Sequence, residues 1–191
     1  MDQKSVLARY YRESREAFLW KVGNLSERQL RMPLTPTGSN LLGLLKHVAS
    51  VDVGYLGEVF DRPFNHPVLD RIDADPSTDL WAAADESAES IMDFARAAWA
   101  HTDRTIAELD LDAAGSVPWW HPDRREVTLG WILVHVISEN AQHLGQVDIL
   151  RELTDELVGL HADNLNLPDN SAEDWAGYTA RLRELAESFP A

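Results

Sequence analysis

Between Thr128 and Leu153 no proline interrupts the chain, and Ile132, Val136, Val147 and Leu150 recur at the spacing of one helix face. The stretch is too long and has the wrong period for a strand, so it must be a helix, with Thr128 placed to cap it. Its apolar face also carries His135, Glu139 and His143, spaced four apart. Each therefore stands one turn above the last and drifts by only about 40°. An ionised carboxylate in such a stripe is costly unless a cation or several hydrogen bonds compensate it. The fold must therefore pack this helix against others and supply a partner for the polar ladder.

The rest of the chain supplies the other helices. Val6, Tyr10, Phe18 and Val22 mark a first helix, stopped at Gly23-Asn24. Ser26 and Gln29 have the spacing of a capping box for a short turn, ended by Pro33, Pro36 and Gly38. A second long helix starts near Ser39 or Asn40, carries Leu41, Leu44, Leu45, Val48, Val51, Tyr55, Leu56 and Val59, and closes at Asp61-Arg62-Pro63. Residues 61–77, with Pro63, Pro67 and Pro76, read as a crossover too broken for a helix. Thr78 is expected to cap a third helix running through Trp81, Ile91, Phe94 and Trp99 to Ile106, followed by a loop over 110–127. Ser171 and Asp174 start a fifth helix from about Ala172 to Phe189.

No stretch alternates with period two, so no sheet is expected, and no internal repeat is visible. The expected fold class is all-α: an antiparallel four-helix bundle over 1–155 with a long crossover between its second and third helices, and a C-terminal helical extension over 156–191 packed on it.

Composition limits the function. The 17 Lys and Arg against 32 Asp and Glu give a net charge of −15, which repels nucleic-acid phosphates and anionic membranes. There is no cysteine, so a disulfide frame, thiolate metal ligands and a cysteine nucleophile are all excluded, and any thiol chemistry must borrow its thiol. The opening residues lack an apolar signal region and no apolar run approaches ~18 residues, so the expectation is a cytoplasmic protein with a small-molecule substrate.

Glu139 and His143, one turn apart, can both reach a metal ion held between helices, but a catalytic site usually takes a third protein ligand. His47, on the border of the second helix's apolar stripe, can provide it. Two imidazoles and a carboxylate suit zinc first, with nickel, iron or manganese also compatible. Taken alone, a Glu-x-x-x-His pair is more often a solvated pair, and a border histidine more often a satisfied one. Asp52, Tyr55, Gln142 and Gln146 are candidates to orient such ligands, as is His135, which reads equally as a core histidine. Of the adjacent Trp119 and Trp120, one can plug the bundle end while the other walls a pocket. His66, His101, His121 and His161 read as surface residues, and the acidic runs Asp70–Asp79 and Asp85–Asp93 as solvated faces.

The segments Leu41-Leu-Gly-Leu-Leu-Lys-His47-Val, Val117-Pro-Trp-Trp120 and Val127-Thr-Leu-Gly-Trp-Ile-Leu-Val-His135, followed by Glu139, His143 and Asp148-Ile-Leu-Arg-Glu152, resemble the DinB-like superfamily. They are most similar to its actinobacterial branch of mycothiol-dependent transferases and maleylpyruvate isomerase-like proteins. The resemblance, over about Leu7 to Leu153, implies a metal held by His47, Glu139 and His143. Glutamate at 139 departs from the common three-histidine set and agrees with the maleylpyruvate isomerase relatives. It further implies a low-molecular-weight thiol such as mycothiol as co-substrate, an S-transferase or isomerase activity, and a possible homodimer. Two other readings stay open on the residues: a metal-dependent hydrolase using metal-bound water, and a non-catalytic metal-binding stress protein.

Overall fold

The computed structural model describes residues 2–190. Its helices are α1 (Gln3–Val22), α2 (Glu27–Arg31), α3 (Leu41–Leu56), α4 (Pro67–Ala74), α5 (Ala88–Glu108), α6 (Leu129–Asp155) and α7 (Ala172–Glu187). Short polar side chains start most of them. The Asp2 carboxylate accepts from the Ser5 N–H, Asn40 Oδ1 from the Gly43 N–H, and Thr128 Oγ1 from the Trp131 N–H, each satisfying an amide that lacks an intrahelical partner. Ser26 with Gln29, and Ser171 with Asp174, close capping boxes.

Four long helices, α1, α3, α5 and α6, make the bundle, and residue pairings give their directions. His47 faces His143 while Tyr55 faces His135, so α3 and α6 run antiparallel. Lys46 pairs with Glu86 just ahead of α5 and Asp52 with Trp99 within it, so α3 and α5 run parallel. Tyr11 packs in the cluster with Leu129 and Ile132, whereas Lys21 meets Asp148, so α1 and α6 are parallel too. The bundle is therefore not antiparallel throughout. The crossover between α3 and α5 returns the chain to its starting end.

The apolar stripes close two core clusters. One joins Phe18, Leu45, Val48, Ile91, Phe94 and Val147; the other joins Tyr11, Leu56, Ile106, Leu129, Leu133 and Val136. Between them lies a buried polar belt. Asp52 Oδ2 accepts from Trp99 Nε1 at 2.9 Å and from Asn140 Nδ2 at 3.4 Å, and the Arg15 guanidinium lies 4.1 Å from the Tyr11 ring centroid and donates to the Trp99 carbonyl.

Three local expectations are corrected. The crossover contains a helix, α4, because Pro67 occupies its first turn and His66 Nδ1 accepts from the Val68 N–H. The third long helix starts at Ala88 under a Ser87 cap, ten residues after Thr78. The Thr78 hydroxyl instead donates to the Asp75 carbonyl inside a 3-10 turn over Pro76–Leu80, and Trp81 is exposed. The loop before α6 carries a two-stranded antiparallel ribbon, β1 (Ala114–Ser116) with β2 (Glu126–Thr128). It caps the bundle end so closely that a Cβ at Gly115 would lie 2.7 Å from the Phe60 ring.

No residue of α7 is buried; Trp175 and Ala176 border a groove shared with Ile149 and Leu153 of α6. Among the described residues, no helix is long and apolar enough to cross a membrane.

Candidate metal centre and cleft

The antiparallel seam of α3 and α6 assembles the site. Leu44, Leu45 and Val48 on α3 and Val147 on α6 are buried, and burying each such side chain contributes about 1.5–3 kcal/mol, which fixes the register. That register brings His47, Glu139 and His143 together, with one ligand atom from each lying within 4.8 Å of the others. Their side chains are 17%, 33% and 12% exposed, so the group is shielded but reachable.

Hydrogen bonds orient both imidazoles. His47 Nδ1 lies 2.6 Å from Asp79 Oδ2, so Nδ1–H donates to the carboxylate and Nε2 is the ring nitrogen left for another partner. His143 Nδ1 lies 2.9 Å from Gln146 Oε1, and its Nε2 lies 3.3 Å from Glu139 Oε1. Two imidazoles and a carboxylate thus converge, an arrangement a cation would satisfy.

Asp79 is the residue that sequence reasoning missed, since it falls in an acidic run read as solvated surface. It is partly buried; Oδ1 accepts from the Ser50 hydroxyl at 2.9 Å. Burial works to raise its pKa, but the bond and charge of His47, with the Ser50 hydroxyl and the Lys46 charge, outweigh it and hold the carboxyl below its ordinary value. Three ties bring its segment onto α3. Asn40 Nδ2 donates to the Leu80 carbonyl, Lys46 Nζ to the Trp81 carbonyl, and glycine at 43 leaves room, because a Cβ there would stand 1.9 Å from the Leu80 oxygen. The usable signal was chemical: a metal-binding histidine commonly gives its second N–H to a carboxylate.

The other candidates are distributed unevenly. Gln146 bonds to His143; Gln142 is exposed and makes no hydrogen bond among the described residues. Asp52, five residues after His47, points about 140° away around the helix and lies in the buried belt. Burial pushes its pKa up to about 7, against the pull of its hydrogen bonds and the Arg15 charge. His135 packs edge-on against Tyr55 and Trp120, with ring centroids 4.6 and 5.1 Å away, apart from the three converging groups. Trp120 is half-buried on the lower core cluster, while Trp119 is exposed and walls a cleft. His66 and His101 are not plain surface groups: His66 caps α4, and His101 Nε2 donates to the Arg62 carbonyl at 2.7 Å.

The cleft, about 560 Å³, runs from α4 to Glu139 and Asp79 and is walled by Tyr55, Phe64 and Trp119. Glu58, Asp70 and Asp73 also line it, and no lysine or arginine does. The nearest arginines are engaged elsewhere, Arg62 with Glu108 and Arg71 with Asp85.

A family model described as mycothiol-S-transferase matches residues 6–156. The chain belongs to the mycothiol-S-transferase family. The match spans α1 to the end of α6, and with it the seam, the ribbon and the cleft. The fold, all-α and DinB-like, agrees with that membership. A crystal structure described as a conserved protein of a locus from Enterococcus faecalis is similar with a TM-score of 0.56 and 16% identity, covering 81% of this chain and 98% of that one. At that identity the likeness speaks to the fold. No curated protein matches the chain.

Proposed function

We propose that this family member is a divalent-metal-dependent S-transferase that joins an external thiol, mycothiol or a close analogue, to a small electrophile. The observation that carries the reading is the convergence of the His47 and His143 imidazoles with Glu139 at one end of an aromatic-walled cleft. The donor set suits zinc first and also nickel, iron or manganese. When bound, such an ion supplies the positive charge that favours the thiolate form of a thiol at neutral pH.

The chain's own residues supply the rest. Asp79 and Gln146 each hold one of the two imidazoles at Nδ1. Tyr55, Phe64 and Trp119 give an apolar wall that displaces water from an organic substrate. The uncompensated carboxylates of the cleft disfavour thiols bearing carboxylates or phosphates and favour an uncharged thiol such as mycothiol. With no cysteine in the chain, the sulfur that forms the new bond to carbon comes wholly from the co-substrate.

The test is turnover of an alkylating electrophile by zinc-loaded protein with and without mycothiol, with proton release followed as the thiol is added. Turnover that requires the thiol, with proton release on its binding near pH 7, is expected. Ester or amide cleavage at full rate without thiol would replace this reading with a metal-dependent hydrolase. Metal binding without turnover of either kind would leave the ion as a staple of the bundle.

A further inference from the structure

Two indole N–H groups converge on a single phenol oxygen at the cleft. Trp119 Nε1 lies 3.3 Å and Trp120 Nε1 3.0 Å from the Tyr55 hydroxyl. An indole nitrogen can only donate, so Tyr55 is the acceptor in both bonds and its oxygen has no accepting capacity left for a substrate. Its own proton finds no acceptor among the described residues, and the side chain lines the cleft that ends at Glu139. Hydrogen bonds accepted by an oxygen also polarise its O–H and strengthen what it donates.

The arrangement is held in place. Adjacent tryptophans reach the same oxygen because Trp120 is anchored below and Trp119 lies over the helix. The Trp120 ring packs against His135 and Trp131, and its carbonyl accepts from Arg125 Nε; Trp119 passes 3.5 Å from where a Cβ on Gly54 would stand. His135 braces the other edge of the Tyr55 ring. The phenol is thus fixed on three sides, and the O–H is left to serve whatever enters the cleft.

We infer that Tyr55 is a catalytic hydrogen-bond donor to the electrophile, and that the site is built for electrophiles bearing an oxygen at or next to the attacked carbon, such as epoxides and conjugated carbonyl compounds. The inference rests on the transferase reading above. In the epoxide case the thiol sulfur, having given up its proton, forms the S–C bond as the C–O bond breaks. The electron pair goes to that oxygen, which takes the Tyr55 proton, and Tyr55 recovers a proton from solvent. The net reaction is addition of the thiol across the ring, with no redox change. An alkyl iodide needs no such help, because iodide leaves as a stable anion.

Two measurements on wild type and Tyr55→Phe test this. The first uses protein without metal or thiol and follows the infrared C=O stretch of bound acetophenone, an unreactive oxygen acceptor. A shift to lower frequency in wild type that is lost in Y55F is expected; an identical stretch in both overturns the inference. The second compares kcat/KM for styrene oxide with that for an alkyl iodide, using the zinc- and mycothiol-loaded enzyme. The epoxide-to-iodide ratio is expected to fall by about 100-fold in Y55F, the lower end of what a positioned proton donor contributes. An unchanged ratio means that Tyr55 only shapes the loop, and overturns the inference even if both rates drop. If the infrared shift is lost in Y55F but wild type shows no thiol-dependent turnover, the donor stands and the transferase reading fails.

Discussion

Asp79, in the segment that enters α5, holds His47 on α3 through a 2.6 Å contact between Oδ2 and Nδ1, and thereby decides which imidazole nitrogen faces Glu139 and His143. The geometry of the candidate centre thus depends on a residue outside the helices that supply its ligands.

Asp79→Asn should therefore weaken zinc binding by about 10- to 100-fold, the usual cost of losing the carboxylate behind a ligating histidine. Because Asp79 is only partly buried, the variant should stay folded. Competition against a chromophoric zinc chelator measures the affinity, and circular dichroism checks the fold. An unaltered affinity would mean that the contact does not orient the ring.

Gly43→Ala should act on the same contact from a distance. The new methyl would meet the Leu80 oxygen, so the segment bearing Asp79 must lift off α3. We expect a loss of about 1–3 kcal/mol in denaturant unfolding, as for an overpacked contact, together with weaker zinc binding. A variant that is destabilised yet binds zinc as wild type does would uncouple the two.

His143→Ala should abolish stoichiometric metal retention, because it removes one of the three converging donors. His101→Ala should keep it and lose only about 1 kcal/mol, the value of its bond to the Arg62 carbonyl. Elemental analysis of the two proteins, purified without chelators and dialysed identically, separates them. Equal metal content would remove His143 from the ligand set.

Asp52→Asn should change how stability depends on pH. Burial raises the folded pKa of Asp52 from 3.8 to about 7, so its contribution to stability is full below the unfolded pKa and lost as pH rises through 7. The asparagine variant does not titrate there, and Nδ2 and Oδ1 keep the shape of the carboxyl. Its stability relative to wild type should rise between pH 5 and pH 8, by an amount that a shift of this size limits to about 2.6 kcal/mol. Urea unfolding of both proteins at several pH values gives the difference directly, and a flat difference would mean that Asp52 stays ionised in the fold.

Helices α3 and α6 were legible because each states its period and its cap: Asn40 and Thr128 cap them. His47, Glu139 and His143 could be brought together on paper since all three border apolar stripes that must face each other. What failed was local structure with competing partners. Thr78 has the chemistry of a cap but spends its hydroxyl on the Asp75 carbonyl. Three-residue strands are too short to display alternation, so the ribbon left no pattern to read. Asp79 looks like any carboxylate in an acidic run until the fold carries it to His47. Asp52 shares its helix with His47, but five residues do not return to the same face of a helix.

The parallel pairing of α1 with α6 sets an order of events during synthesis. At roughly 5–20 residues per second the ribosome takes on the order of ten seconds to pass from Val22 to the start of α6. For that interval α1 has made its apolar face but its main partner does not exist, and His47 has no Glu139 or His143 to share an ion with. The nascent chain must therefore shield Phe18 and Val22 by other means, and His47 can meet Glu139 and His143 only when the last helix of the bundle has emerged and docked.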